Sequence, residues 1–260
     1  LSFENILVFS ESGITTITLN RPDAMNSLTF EMIEELHQLL EDISRDDQCK
    51  VIILTGSGKA FSAGGDIKAM SEGMDAMQGK AYLQKINGII LKIVEIEKIV
   101  ISAVNGFAVG AGCNLSLASD LIVASNEAIF SEAFLPVGLV PDAGGTYFLP
   151  RILGLPKAKE LVLTGKKLSA EEAERLGLIN QVVPPEDLNK TVMDMAKEIA
   201  KGPSRAIGLT KVLMNRSLWM DLRSALEYEA YSQGLCMQTA DHKEGLKAFR
   251  EKRKPIFLGK

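Results

Sequence analysis

The sequence predicts an α/β fold, a stacked spiral in which strand, strand and helix recur, followed by a helical tail of some sixty residues. Three observations carry this. Short apolar runs rich in β-branched residues are separated by stretches with apolar residues at helical spacing. The order is strand, strand, helix with variation, which fits a stacked spiral better than a strictly alternating βαβ sheet. After "INQVVPPEDL" the composition shifts, and no convincing strand pattern lies between Asn189 and Lys260. The division drawn from this is a body over 1–195 and a helical region over 196–260.

Taken in order, "NILVFS" and "GITTITLN" flank a turn at Glu11–Gly13 and read as a hairpin. From about Thr29, Met32, Ile33, Leu36, Leu39, Leu40 and Ile43 recur as one helical face. "VIILT" (51–55) is a continuous apolar run, the mark of a strand covered on both faces. A loop over 56–66 precedes a helix over roughly 80–97. "IVISAV" (99–104) is a strand ending at Asn105–Gly106, "GCNLSLAS" a short helix, and "DLIVAS" and "AIFSE" strands. Residues 169–177 form a helix with a capping box of Ser169 and Glu172 and a stop at Gly177.

The totals narrow the function. A net charge of −4 argues against a nucleic-acid partner, which needs a basic surface. The longest apolar stretches are too short for a bilayer, and Lys92, Glu95, Glu97 and Lys98 interrupt the most tempting one. No charged–apolar–small pattern opens the chain. Cys49, Cys113 and Cys236 are far apart and odd in number, which fits free thiols in a reducing compartment. With only His37 and His242, a His-based metal site has little to work with. The expectation is a cytoplasmic protein with neither metal nor membrane.

Three glycine-rich stretches carry chemical interest. "GSGKAFSAGGD" (56–66) is no dinucleotide loop, because Phe61 stands where the third glycine belongs, and no Walker loop, because neither Ser nor Thr follows Lys59. Ser62 in "AFSAG" resembles a nucleophile elbow only faintly and lacks partners. In "NGFAVGAGCNLS" (105–116), Gly110, Ala111 and Gly112 lie where a helix begins. Small residues there either pack a helix on a sheet or leave N–H groups open to an anion or a carbonyl oxygen gaining charge. In "GLVPDAGGTYFLP" (138–150), Asp142 is a lone acid among glycines and apolar residues; it is either an N-cap or a base in a dry pocket.

Together these stretches resemble the crotonase family, the enoyl-CoA hydratases and isomerases, over essentially the whole chain. The matching segments are "ITLNRPDAMNSL", "ILTGSGKAFSAGGDIKAM", "AVNGFAVGAGCNLSLASDLIVAS", "GLVPDAGGTYFLPRILG", "SAEEAERLGLINQVV" and "EGLKAFREKRKP". The resemblance implies a crotonase-like spiral of ββα units, with trimers built through the C-terminal helices and often a dimer of trimers. It implies no separate cofactor, the coenzyme A thioester being the substrate. Backbone N–H groups at the positions matching Ala63 and Ala111 would bind the thioester oxygen. Ala24, Met25, Gly64, Gly65, Asp66 and Ile67 match the groove for coenzyme A, and Gly110, Phe134 and Val137 are further expected substrate- or CoA-binding positions. Lys252, in a tail with six basic residues between Lys243 and Lys254, matches a position near the coenzyme A phosphates of a neighbouring subunit; a solvated basic face is the alternative.

Family hydratases use two glutamates to activate water, and the matching positions here are Asn114 and Phe134. The remaining acid, Asp142, with "AF" at 133–134 and "GLVPDAGGT", is similar to the isomerase branch that includes 1,2-epoxyphenylacetyl-CoA isomerases. The resemblance therefore implies Asp142 as a proton shuttle in a 3-enoyl to 2-enoyl shift or an epoxide-type ring isomerisation, in fatty-acid or phenylacetate metabolism. Phe134, Val137 and Leu139 would raise its pKa. The alternatives are a hydratase of the same family and a non-catalytic acyl-CoA-binding subunit in which Asp142 is only a cap. A dehalogenase of the same family ranks low, since no histidine lies between His37 and His242.

Overall fold

In a computed structural model, which describes residues 3–66, 73 and 75–260, the strands fall into two sheets. β1 (Ile6–Glu11) and β2 (Ile14–Leu19) form the antiparallel hairpin. Ser12 and Gly13 between them both have positive φ, 53° and 79°, the twist a tight hairpin needs. β3 (Val51–Gly56), β5 (Ile99–Val104), β7 (Leu121–Ser125) and β10 (Gln181–Val183) then add in parallel, giving the order β1-β2-β3-β5-β7-β10. The second sheet has the order β4-β6-β8-β9, from Ala60–Ser62, Phe107–Val109, Ile129–Ser131 and Lys167–Ser169. From β3 to β8, each strand of the long sheet is followed by a three-residue strand of the short one and then a helix.

The helices follow from their caps and stripes. Helix Phe30–Arg45 starts at Thr29, whose side chain accepts from Met32 N–H, and buries Met32, Ile33, Leu36, Leu39, Leu40 and Ile43. Helix Ala76–Glu95 begins four residues before the expected 80, because Asp75 and Gln78 form a capping box in front of the apolar stripe. Helix Ala170–Arg175 has the expected Ser169–Glu172 box. Helix Pro185–Ala200 lays Leu188, Val192 and Ala196 on the outer face of the long sheet, against Val51, Ile53, Ile99, Ile101 and Val123. That helix runs straight through residue 195. The boundary expected there falls inside a helix that ends at Ala200.

Beyond it lie helices Ser204–Ser217, Leu222–Met237 and Ala240–Glu251. The first is clamped to the body by Lys211, whose Nζ donates to Ile93 O at 2.7 Å and Lys98 O at 2.9 Å and pairs with Asp120 Oδ2 at 2.8 Å. Burial pushes the Asp120 carboxyl up and the Lys211 ammonium down, and the pairing opposes both shifts. The last two helices expose Leu222, Leu226, Tyr231, Leu235 and Phe249. Cys49 and Cys113 are buried free thiols. Among the described residues no helix is long and apolar enough to cross a membrane.

Truncating one partner of a buried, hydrogen-bonded ion pair strands the other charge. Lys211→Ala is expected to cost about 3–5 kcal/mol of stability in urea unfolding. A loss within about 0.5 kcal/mol, the size of an ordinary surface change, would contradict the clamp.

Candidate active site

Two of the glycine-rich stretches meet. Helix Ala111–Leu117 begins immediately after β6, and its N-terminus lies against the segment that follows β4. A Cβ on Gly112 would sit 2.4 Å from Ser62 O, and one on Gly64 would sit 2.7 Å from Val109 O and 3.2 Å from Ala111 N. Gly64 also has φ +88°, a conformation L side chains rarely adopt. No larger residue fits at either position.

The donors that result differ from the expected pair. The Ala63 N–H donates to Met25 O at 2.9 Å, so it cannot face a ligand. Gly64 N–H is also engaged, by Ser62 Oγ at 3.2 Å. Among the described residues no acceptor takes the N–H of Gly65 or of Ala111. Ala111 is the first residue of its helix, where N–H groups have no intrahelical acceptor. Among the described residues the open N–H on the loop is that of Gly65 and not that of Ala63. The cause is local: the segment 24–28 runs beside the loop, and its carbonyls and amides occupy alternate groups. Met25 O takes Ala63 N–H, Asn26 O takes the Ser62 hydroxyl, and Leu28 N–H donates to Gly64 O. Ser62 is thereby fully buried and bound to backbone, a structural residue.

Ala24 and Met25 lie at the rim, in a short 3-10 turn and its left-handed C-cap. Asp66 is tied to Arg21 and to the Ser27 hydroxyl, each at 3.3 Å. Ile67 lies outside the described residues. Lys252 is exposed at the left-handed C-cap of the last helix, and no interaction joins it to the glycine loops or to Asp142 among the described residues.

Asp142 is not a cap. Helix Gly145–Leu153 has Gly144 as its N-cap and no side-chain cap bond; the Asp142 carbonyl, not its carboxylate, accepts from Gly145 N–H at 2.9 Å. Ala143 and Gly144 both have positive φ, 47° and 88°. For Ala143 that is a strained conformation, costing about 1–2 kcal/mol. The carboxylate makes no cap bond to the helix amides, and its Oδ1 is buried with no hydrogen-bond partner. Burial pushes the carboxyl from an ordinary 3.8 up to about 6, opposed by its own backbone N–H. Of the expected apolar wall, Phe134 is 6% exposed and packs its ring over Gly110, whereas Val137 and Leu139 are 50% and 45% exposed. The Tyr82 phenol, donating to Leu28 O at 2.6 Å, also feels the Asp142 charge.

Asp142 is also not the only acid here. Glu132, one residue beyond β8, is 3% exposed and accepts from Asn114 Nδ2 at 3.3 Å. The same Nδ2 donates to Asp142 O at 2.9 Å. Burial pushes Glu132 from 4.5 up to about 7; the Cys113 thiol and Asn114 oppose this, and the Asp142 charge adds to it. The sequence offered one signal for Glu132: an acid directly after a run of buried strand residues, next to "AF".

The profile of the enoyl-CoA hydratase/isomerase family matches residues 10–260, and the chain belongs to that family. It is 39% identical over 260 residues to the 1,2-epoxyphenylacetyl-CoA isomerase of Escherichia coli K12, covering 99% of each chain. It is 36% identical over 255 residues to the short-chain-enoyl-CoA hydratase of Clostridium acetobutylicum, covering 98% of this chain and 97% of that protein. The crystal structure of an enoyl-CoA hydratase from Bacillus anthracis superposes with a TM-score of 0.94 at 36% identity, covering 99% of this chain and all of that one. The crotonase fold is thereby established, while the relatives' activities divide between hydration and isomerisation.

Both acids hold their protons more tightly folded than unfolded, so folding takes up protons. Their contribution to stability is present below pH about 4 and is lost as pH rises through about 6 and 7. Replacing Asp142 by Asn and Glu132 by Gln together should therefore stabilise the chain relative to wild type more at pH about 8 than at pH about 5. Urea midpoints at the two pH values check this, and a constant difference contradicts it.

Proposed function

We propose that the protein is an acyl-CoA double-bond isomerase, converting a 3-enoyl-CoA to a 2-enoyl-CoA or carrying out an epoxide-type ring isomerisation. Removing a proton alpha to a thioester makes an enolate whose charge gathers on the carbonyl oxygen. The N–H groups of Gly65 and Ala111 are the donors for that oxygen, each worth about 2.7–4 kcal/mol by analogy with other oxyanion holes. Asp142 takes the proton from C2 and returns it at C4. The observation that carries this reading is the Asp142 carboxylate itself: half-buried, with one buried oxygen unpartnered and its pKa pushed up to about 6, it is ionised at neutral pH yet basic enough to accept a proton.

The segments around Ala24, Met25 and Asp66 form the proposed groove for coenzyme A. The exposed apolar side chains of the last two helices support assembly as a trimer or dimer of trimers, with Lys252 reaching a neighbour's phosphates. The buried free thiols Cys49 and Cys113 suit a reducing cytoplasm.

A second reading, hydration of a 2-enoyl-CoA, is favoured by one observation: Glu132 supplies a second carboxyl beside Asp142. Against it, Glu132 is nearly inaccessible and its one hydrogen-bonded oxygen is held by Asn114. Incubation with 3-hexenoyl-CoA is expected to give a conjugated product without mass gain, and crotonyl-CoA is expected to remain unchanged. The rate should rise with pH through about 6, and Asp142→Asn should abolish it while coenzyme A binding persists. Water addition to crotonyl-CoA would replace isomerisation by the second reading, and near-normal turnover by the variant would remove Asp142 from the chemistry.

A further inference from the structure

Three buried oxygens in this site have no hydrogen-bond partner: Asn114 Oδ1, Glu132 Oε1 and Asp142 Oδ1. All three are acceptors when the acids are ionised. Buried polar groups without partners are costly, each by about 1–3 kcal/mol, and two carboxylate charges in one low-dielectric site raise the cost further. A proton on one carboxyl turns one of these oxygens into a donor and removes one charge.

The side chain that joins the two acids has little freedom. Asn114 is fully buried, and its Nδ2 donates to both Glu132 Oε2 and the Asp142 carbonyl. It is wedged against helix Gly145–Leu153: a Cβ on Gly145 would lie 2.5 Å from that nitrogen. The amide therefore has one orientation, set on one side by Glu132 and passed on the other to the strained turn that aims the Asp142 carboxylate.

We infer that Glu132 is a positioning residue for Asp142, fixing through the Asn114 amide the turn that aims the base, with the charge of that base felt in turn by Glu132. This rests on the acid–base role given to Asp142 above. The groups facing Glu132 are few. Helix Ala111–Leu117 presents the Cys113 thiol and Asn114, and the turn after Pro141 presents Asp142. Burial holds the thiol well above its ordinary value, so it stays neutral. Asp142 is thus the only charge that Glu132 meets among the described residues. Burial raises both carboxyls, and the Asp142 charge raises Glu132 further, so Glu132 is the acid favoured to keep its proton while the base is ionised. The proton on Glu132 stays there and is not passed to substrate.

The test pairs two variants with a titration that needs no turnover. Glu132→Leu removes the acceptor for Asn114, and kcat for isomerisation is expected to fall by about tenfold to a hundredfold with little change in KM, as for a misaimed catalytic group. Glu132→Gln keeps an acceptor. It should restore kcat to near wild type and keep the acid limb near pH 6, while the second inflection near pH 7 disappears. Separately, carboxyl-carbon NMR of full-length protein labelled at glutamate should show Glu132 titrating at lower pH in Asp142→Asn than in wild type. Wild-type kcat and an unchanged pH profile in Glu132→Leu would overturn the positioning role. An unmoved Glu132 titration in Asp142→Asn would overturn the electrostatic coupling even if every Glu132 variant misfolded. A wild type that turns over no enoyl-CoA, yet shows the shifted titration, would refute the proposed function and leave the coupling standing.

Discussion

Two stretches of backbone pass in close contact in this molecule, with only the small Ser62 side chain beside them: the end of β4 with its following loop, and the first turn of helix Ala111–Leu117. Gly112 lies against Ser62, and Gly64 lies against Val109. Their separation is set by the parallel pairing of β4 with β6, which delivers both segments to the same end of the short sheet. A methyl group at either glycine would force the strands or the helix apart. Because they touch, the open N–H groups of Gly65 and Ala111 belong to neighbouring segments, and the helix adds the positive end of its dipole. The fold's long sheet and its covering helices hold that crossing still.

The second ingredient is a carboxylate with one buried oxygen that no protein donor meets. Ala143 and Gly144 pass through left-handed backbone, and Asp142 makes no cap bond to the helix it precedes. An N-cap aspartate would be stabilised by the helix amides and would be a poor base; this one is destabilised by burial and is a better one. The site therefore opposes two charges of the same origin. The open donors favour negative charge on an oxygen placed before Gly65 and Ala111, whereas burial disfavours it on the Asp142 carboxylate.

The body of the fold was legible because its helices carry long apolar stripes and well-marked caps, and its long-sheet strands are continuous apolar runs. The short sheet was only partly legible: Ile129–Ser131 stood out, whereas Ala60–Ser62, Phe107–Val109 and Lys167–Ser169 are too short to show a period of two. The site divides in the same way. Ala111 was legible as a helix N-terminus and Asp142 as an acid in an apolar setting. The choice between Ala63 and Gly65 was not, because it depends on which N–H the segment 24–28 takes, a pairing between stretches some forty residues apart. Glu132 was missed because position-by-position matching looked for acids at 114 and 134. The chain instead carries one at 132, reaching the site through Asn114. The cap reading of Asp142 failed for want of one fact, the left-handed φ of Ala143.

The account stands on enolisation by one carboxylate opposite two backbone donors, a step that precedes any choice between moving a double bond and adding water. A saturated thioester isolates it. Butanoyl-CoA has no double bond to shift or hydrate, so the measurement is deuterium uptake at its C2 in heavy water. The account predicts catalysed exchange at C2 by the wild-type protein and none above background by Asp142→Asn. Absence of exchange in the wild type, or equal exchange in the variant, would contradict it.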